Sequence, residues 1–381
     1  MQSVDKIIFV LGNLELGGAE RQALILARHL SQREKVEVWG FNKSGPVADI
    51  CEEYGIRWRV EPVNPQRLQS IQRVAWVLRA SGPDVLLPYT WLPNVVCGFV
   101  WKWVGARLCV WNQRDEGLFL PQRTWERWAV QRMPRFISNS PAGARFLIER
   151  LKVDPVKVHV VQNGIEQSTP QMDRKAWRKR LEIDDASFVA CMVANLHTNK
   201  DHETLLRAWR TVTNTLERKA VLVLAGRHDG AYESLVALTR ELGIERGVRF
   251  AGSVSDVAGL LTAVDIGVFS SRSEGCPNGV LECMAAGLAV AATDIEGVRE
   301  VVGRLELLTP VGDADALSQT ILKLAADRAL CATIGARNRK RIIENHDARL
   351  ICEELVGIID RAATEGRPYS CGPSSAPNER A

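Results

Sequence analysis

The chain has 381 residues, of which 46% are hydrophobic, and its formal net charge is only +4 at pH 7. This length indicates two domains, and so small a net charge gives no reason to expect a nucleic acid as partner. The nine cysteines are scattered, without a C-x-x-C pair or zinc-site spacing, which favours a reduced, cytoplasmic protein with buried thiols.

The N-terminal residues lead directly into a predicted strand, so we expect no signal peptide. The most apolar helix candidate, residues 92–106, contains Lys102 and is too short to cross a bilayer.

Short apolar runs predict strands along the first part of the chain, at residues 7–11, 36–41, 85–87, 108–111, 136–138 and 158–161. Amphipathic helical stretches separate them. The first is 19–30, which places Ala23, Leu24, Ala27 and Leu30 on one face. The alternation restarts after Gly164, with predicted strands at 188–193, 221–224, 248–251, 266–269 and 288–291.

This pattern predicts an α/β protein built from two Rossmann-like, doubly wound domains. We place the boundary between residues 1–163 and 164–345, and the polar stretch 167–173 fits a linker. Ligands of such sheets bind at the carboxyl ends of the strands. The cleft between the two domains is therefore the predicted site.

The run from Ser273 to Gly287 carries the most chemical information. Pro277 is predicted at the first position of a helix, whose free N–H groups suit a phosphate. Glu274 lies on the loop before this helix and Glu282 on its second turn, so two acceptors flank a diphosphate site. A nucleotide sugar has hydroxyls in that layout; the alternative is ordinary capping of a helix by carboxylates.

The spacing of Glu274 and Glu282 resembles the donor-site signature of retaining glycosyltransferases of the GT-B fold, specifically family 4. Other segments occur in the order of that family, over roughly residues 5–345: a glycine loop at 12–20, then 161–166, 193–196, 200–202 and 263–271. The resemblance implies a donor-binding C-terminal domain and an acceptor-binding N-terminal domain. It also implies a final helix, 346–364, that packs back on the N-terminal domain; composition predicts a disordered tail at 365–381.

The resemblance implies the roles of the donor-site residues. Glu274 would contact hydroxyls of the transferred sugar, Glu282 those of the ribose, and Lys200 the departing diphosphate. The path between the glutamates is lined by backbone groups of Gly275, Cys276, Pro277 and Asn278. No cofactor or metal is expected, and the donor is a UDP, GDP or other nucleotide-diphosphate sugar.

This sequence departs from the family at one donor-site position, where Asn195 stands in place of the usual arginine. Asparagine donates hydrogen bonds but carries no charge, which leaves the strength of the diphosphate site open. Arg227 is a candidate for the missing cation. Gly17 and Gly18 are expected to let the ligand approach the backbone; the alternative is a tight turn that needs positive φ.

The acceptor side is less defined. Many relatives carry a histidine near Arg114, so Arg114 is predicted to contact a phosphate or the acceptor, or else to form a surface ion pair with its acidic neighbours. Asn94 and Ser140 also lie at predicted strand ends facing the cleft. His197 and His202 lack a third metal ligand, so we expect no metal.

Tryptophans alternate with basic residues at 101–103 and 122–135. These tryptophans are predicted to be core, or else to rest on an anionic membrane surface, in which case a lipid-linked acceptor follows.

The predicted function is retaining transfer of a sugar to an acceptor hydroxyl in bacterial polysaccharide or glycolipid synthesis, at the inner face of the membrane if membrane contact occurs. Two alternatives stay open. One is another GT-B enzyme, a nucleotide-sugar epimerase or a phosphorylase. The other is a catalytically silent protein that binds a sugar nucleotide. The neutral Asn195, in place of the usual arginine, is the reason for retaining this alternative.

Overall fold

A computed structural model describes residues 4–117, 120–121 and 123–365. From position 366 onward, the predicted disordered tail lies outside these residues, as does Gln122 of the tryptophan-rich segment.

Within the described residues the strands form two parallel sheets. The N-terminal sheet has the order β3-β2-β1-β4-β5-β6-β7, and the C-terminal sheet has the order β10-β9-β8-β11-β12-β13. The strands are β1 Lys6–Leu11, β2 Lys35–Phe41, β3 Arg57–Glu61, β4 Val85–Pro88, β5 Leu108–Gln113, β6 Arg135–Ser138, β7 Val158–Val160, β8 Phe188–Val193, β9 Ala220–Ala225, β10 Val248–Gly252, β11 Ile266–Phe269, β12 Val290–Thr293 and β13 Leu308–Thr309.

Helices connect the strands and cover both faces of each sheet. They are α1 Gly18–Leu30, α2 Pro46–Glu53, α3 Leu68–Ser81, α4 Trp91–Val104, α5 Thr124–Arg132, α6 Pro141–Arg145, α7 Arg174–Arg180, α8 His202–Thr215, α9 Tyr232–Glu241, α10 Val257–Thr262, α11 Asn278–Ala285, α12 Glu296–Val302, α13 Ala314–Ala326, α14 Arg328–Asn345 and α15 Ala348–Glu365. The predicted pair of Rossmann-like domains is confirmed.

Continuous apolar strands explain why both sheets are covered. In β1, the five residues from Ile7 to Leu11 are all buried, which requires a helical layer on each face. Helix α1 buries the predicted face, Ala23, Leu24, Ala27 and Leu30, against one of them. The carboxyl ends of β1 and β8 thereby meet across a common cleft.

The sequence pattern did not predict the strands β3 and β13, and it placed the start of β12 too early. β3 alternates charged and apolar residues because it is an edge strand, and β13 has only two residues. Leu288 and Ala289 are buried, but they follow Gly287, whose φ of +77° ends the turn after α11. The ladder of β12 therefore starts two residues later than predicted, at Val290.

The chain crosses between the domains at two adjacent points. The Ile165 N–H donates to the His346 carbonyl (2.8 Å), and the Ala348 N–H donates to the Ile165 carbonyl (3.2 Å). A Cβ on Gly164 would lie 2.9 Å from the Ala348 Cα atom, so the two segments touch.

After the second crossing, α15 packs on the N-terminal sheet. Its buried residues join the same core as β1 and α1; they are Ile351, Cys352, Leu355, Ile358, Ile359 and Ala362. Among the described residues, none of the helices is both long and apolar enough to cross a bilayer.

Candidate functional site

A cleft of about 560 Å³ lies between the domains, at the carboxyl ends of the strands. Nearly all the predicted site residues line it: Gly17, Gly18, Arg114, Asn195, Lys200, Glu274, Cys276, Pro277, Asn278 and Glu282. The exception is Gly275. Its Cα faces the opposite domain, where a Cβ would lie 2.6 Å from Asn139 Oδ1.

The loop that carries Glu274 is fixed by hydrogen bonds to the neighbouring strand. Ser271 donates its N–H to Thr293 Oγ1 (3.0 Å), and that hydroxyl donates to the Ser271 carbonyl (2.9 Å). Ser271 Oγ in turn donates to Glu274 Oε1 (2.9 Å). The carboxylate is therefore held in place before any ligand binds.

Lys200 and Glu274 form an ion pair at one end of the cleft. The Lys200 ammonium also lies 5.7 Å from the centre of the Phe269 ring. The side chains are 25% and 12% exposed, so the pair is largely shielded from water. A cation and a hydroxyl-accepting carboxylate thus adjoin at one place.

Helix α11 begins one residue later than predicted. Pro277 is its N-cap, with a ψ of 108°, rather than its first helical residue, so the first helical residue is Asn278. The Asn278 side chain reaches the opposite domain, accepting from Asn163 Nδ2 (2.7 Å) and donating to the Gly18 carbonyl (3.1 Å). A Cβ on Gly279 would lie 2.0 Å from the Val193 carbonyl, so only glycine lets α11 start this close to β8.

Glu282 lies at the other end of the cleft and pairs with Arg21 of α1. Burial raises the pKa of the Glu282 carboxyl, and the Arg21 guanidinium opposes that rise. Arg21 was not among the predicted site residues. Its signal in the sequence is its position three residues after Gly18, on the first turn of the helix that follows the glycine loop.

Asn195 and Arg227 adjoin where the family has an arginine. Asn195 Oδ1 accepts from the Arg227 N–H (3.0 Å), so it orients the loop after β9. The Arg227 guanidinium lines the cleft but is held by Asp229 (Nε to Oδ1, 2.6 Å) and by the Leu16 carbonyl (Nη1 to O, 3.2 Å).

Of the two glycines, Gly18 allows close approach between the domains, whereas a Cβ on Gly17 would meet Glu20 of its own helix. Gly17 is the N-cap of α1 with a φ of −125°, so the alternative of a positive-φ turn is wrong there. A Cβ on Gly18 would lie 3.2 Å from Asn278 Nδ2, on the opposite side of the cleft.

On the N-terminal side, Arg114 forms part of the cleft wall. It donates to Asn112 Oδ1 (3.1 Å) and Asn163 Oδ1 (3.4 Å), and its guanidinium lies 4.6 Å from the centre of the Tyr89 ring. Its neighbour Glu116 accepts from Ser273 Oγ of the other domain (2.7 Å). The segment after β5 therefore touches both domains.

The prediction that Asn94 and Ser140 face the cleft is wrong. Asn94 is buried inside α4, where it donates to the Asn112 carbonyl (2.8 Å) and accepts from the Asn112 N–H (3.1 Å). Ser140 is the N-cap of α6 and accepts from the Gly143 N–H (3.1 Å). Asn94 satisfies backbone groups near the end of β5, and Ser140 satisfies one in the first turn of α6, as such residues commonly do.

Within the described ranges, no group of three or more metal-ligating side chains occurs. His202 is buried at the start of α8, where its Nδ1 lies 3.0 Å from the Lys200 carbonyl. Burial lowers the pKa of His202 to about 4.

The tryptophan-rich helices are divided between core and surface. Trp101 is buried, whereas Trp103 and Trp128 are about half exposed. Arg79 lies over the Trp103 ring and Arg132 over the Trp128 ring, at 5.2 and 3.9 Å from the ring centres.

Two family models match the chain in succession. Residues 16–169 match Glycosyltransferase Family 4, and residues 173–341 match Glycosyl transferases group 1. EpsD of Bacillus subtilis, which carries the name of a glycosyltransferase, is 30% identical over 335 residues, covering 81% of this chain and 84% of that protein. The lipopolysaccharide core biosynthesis glycosyltransferase LpsE of Rhizobium meliloti is 26% identical, covering 62% and 74%.

Solved structures share the fold. HepE of Anabaena, crystallised with UDP and glucose, superposes with a TM-score of 0.83 over 93% of this chain and 99% of that chain, at 21% identity. WaaG, a glycosyltransferase involved in lipopolysaccharide biosynthesis, gives a TM-score of 0.72 over 93% and 99%, at 16% identity. The chain is a glycosyltransferase of family 4 with the GT-B fold.

Proposed function

We propose that this protein transfers a sugar from a nucleotide-diphosphate sugar to an acceptor hydroxyl with retention of the anomeric configuration. The observation that carries the proposal is the pairing inside the cleft. Two carboxylates, Glu274 and Glu282, line the same cleft and each is matched with a cation, Lys200 or Arg21. A ligand with hydroxyls at both ends and phosphates between them satisfies all four groups.

In the proposed reaction, Lys200 faces the bridging oxygen of the departing diphosphate. Negative charge grows on that oxygen as the bond from the sugar C1 atom breaks, so a nearby cation stabilises the transition state more than the ground state. The acceptor oxygen bonds to C1 on the same face, and its proton passes to the departing diphosphate. Glu274 holds the sugar hydroxyls throughout, and the site needs no metal ion.

The acceptor is proposed to enter along the wall that carries Arg114. A saccharide with or without a phosphate suits this side, because a guanidinium binds phosphate and hydroxyl oxygens alike. A relative in Escherichia coli is named as acting on GlcNAc-diphosphoundecaprenol. We propose a role in polysaccharide or glycolipid synthesis at the cytoplasmic face of the membrane, with the exposed Trp103 and Trp128 against the bilayer.

The donor site is tested by thermal stabilisation with UDP, GDP and ADP and their sugars, in EDTA. A nucleotide at 100 times its dissociation constant stabilises the folded protein by about 2.7 kcal/mol, a shift of a few degrees. We expect one nucleotide to shift the melting temperature of the wild type and of Glu203→Ala, an exposed control on α8. The shift should be lost in Glu282→Ala.

Absence of a shift with every nucleotide would count against the transferase and equally against a silent protein that binds a sugar nucleotide. Once a donor is known, the anomeric configuration of the first product, read by NMR, tests retention. An inverted product would contradict the proposed stereochemistry, and an epimerised donor without transfer would favour the epimerase alternative.

A further inference from the structure

The ion pair between Arg21 and Glu282 joins the two domains across the donor cleft. Arg21 stands on the first turn of α1 and Glu282 on the second turn of α11. Their side chains are 34% and 12% exposed, and both line the cleft. The contact is therefore a shielded one inside the site, unlike the ion pairs on the molecular surface.

Under the proposed function, the ribose hydroxyls compete with Arg21 for the Glu282 carboxylate. Glu282 is the acceptor for the ribose hydroxyls under the proposed function, yet its Oε1 atom already accepts from Arg21. A half-buried guanidinium displaced from its carboxylate needs another anion, because an unpaired buried charge is costly. In any nucleotide the α-phosphate lies next to the ribose.

No other cation of the cleft, among the described residues, lies where the α-phosphate would be. Four cationic side chains line the cleft within the described part of the chain: Arg21, Arg114, Lys200 and Arg227. Arg227 is held by two bonds to Asp229, at 2.6 and 3.1 Å. Arg114 donates to amide oxygens on the acceptor side. Lys200 lies at the sugar end beside Glu274.

We infer that Arg21 binds the donor's α-phosphate, for which it exchanges Glu282 when the ribose hydroxyls take Glu282. The inference rests on the proposed function and deepens it. A guanidinium matches phosphate oxygens with two parallel hydrogen bonds. Because Arg21 belongs to the N-terminal domain and Glu282 to the C-terminal domain, the diphosphate links the two domains and holds the cleft closed around the donor.

The test compares a nucleotide with its nucleoside. We would titrate the wild type, Arg21→Ala and Arg21→Lys by calorimetry, each with UDP and with uridine. The difference between the two ligands separates phosphate contacts from ribose contacts. The same titrations are made with GDP and guanosine and with ADP and adenosine. The control is Arg28→Ala, on the same helix, whose exposed side chain pairs with Glu166 at 3.4 Å. All titrations use pH 8 and one fixed salt concentration.

In Arg21→Ala we expect the diphosphate to bind about ten- to a hundredfold more weakly, the usual loss for hydrogen bonds to a charged group. The nucleoside should bind as well as to the wild type or more tightly, because Glu282 no longer has a competing partner. Arg21→Lys should lie between the two, and Arg28→Ala should match the wild type. Retained nucleoside binding also shows that the variant is folded.

Two results would overturn the inference. If Arg21→Ala tightens both the diphosphate and the nucleoside, Arg21 only blocks Glu282 and has no phosphate to bind. If neither affinity changes, the pair plays no part in donor binding. A wild type that binds none of the three diphosphates would instead refute the proposed function itself.

Discussion

The two sides of the cleft hold their functional groups in different ways. On the C-terminal side, Lys200, Glu274 and Glu282 project into the cleft from one loop and two helix starts. On the N-terminal side, Arg21 and Arg114 line the cleft, while the polar side chains of Asn94 in α4 and Ser140 at the start of α6 turn inward and bond to backbone. The C-terminal side thus offers the ion-paired carboxylates Glu274 and Glu282, whereas the N-terminal side offers two guanidinium groups on a backbone that buried polar side chains hold in place.

The largest effect should come from Lys200→Ala. We expect kcat to fall about 10²–10³-fold, as when one preorganised donor to a developing charge is removed, while the affinity for the nucleoside stays unchanged. Steady-state kinetics with the identified donor measure this. Lys219→Ala removes an exposed lysine paired with Asp184 in the same domain and should leave kcat as it is. An equal fall in both variants would show that Lys200 is not special to the cleft.

Next in size is a pH dependence of stability on the donor side. Burial lowers the pKa of His202 to about 4 from 6.5, so the unfolded chain binds the proton first. Neutral His202 therefore adds about 3 kcal/mol to the free energy of unfolding. This contribution is fully present above pH 6.5 and is lost as the pH falls to about 4. We expect His202→Gln to flatten the decline of the urea midpoint between pH 6.5 and 4. Identical profiles would mean that His202 binds its proton equally readily in the folded and the unfolded protein.

On the acceptor side, Asn94→Ala should destabilise without disabling the donor site. It leaves the Asn112 N–H and carbonyl without their buried partner, at a cost of about 1–3 kcal/mol. Urea unfolding measures the loss, and UDP titration should give the wild-type affinity. Asn345→Ala removes an exposed amide that donates to Arg341 and serves as the control. Impaired nucleotide binding would place Asn94 in the site after all.

The smallest effect is expected for Arg114→Ala. Arg114 lies on the cleft wall against the Tyr89 ring, so its loss should raise the KM for acceptor about tenfold, near 1.4 kcal/mol. The KM for donor should stay unchanged within error. The control is Arg107→Ala, which removes a side chain paired with Asp84 and should change neither the KM for acceptor nor the KM for donor. A change confined to the donor KM would move Arg114 to the diphosphate.

Most of the C-terminal residues that the sequence singled out line the cleft, because they lie close together along the chain. Glu274 and Glu282 are eight positions apart on one loop and helix, so their spacing alone places both in the cleft. The buried strands were equally visible as apolar runs. The edge strand β3, Arg57–Glu61, was not visible in this way, because its charged and apolar residues alternate and form no apolar run.

What the sequence could not give are partners from distant parts of the chain. Arg21 and Glu282 are 261 positions apart and meet only once the domains face each other. Asn94 and Ser140 looked like site residues because polar side chains at strand ends serve ligands and backbone equally well. For Asn94 the position of Asn112, 18 residues away, decides between these roles, whereas the bond from Gly143 to Ser140 is local and belongs to a Ser-Pro helix start that the sequence already contains.

Helix α15 sets the order in which the two domains are completed during synthesis. β1 and α1 emerge from the ribosome first. The apolar surface that they bury against Ile351, Leu355 and Ile358 stays exposed until those residues have also emerged. The C-terminal domain, which lies between, has all of its strands by then. The half of the enzyme that is made first is therefore finished last, and a nascent chain that stalls before residue 350 exposes an aggregation-prone face.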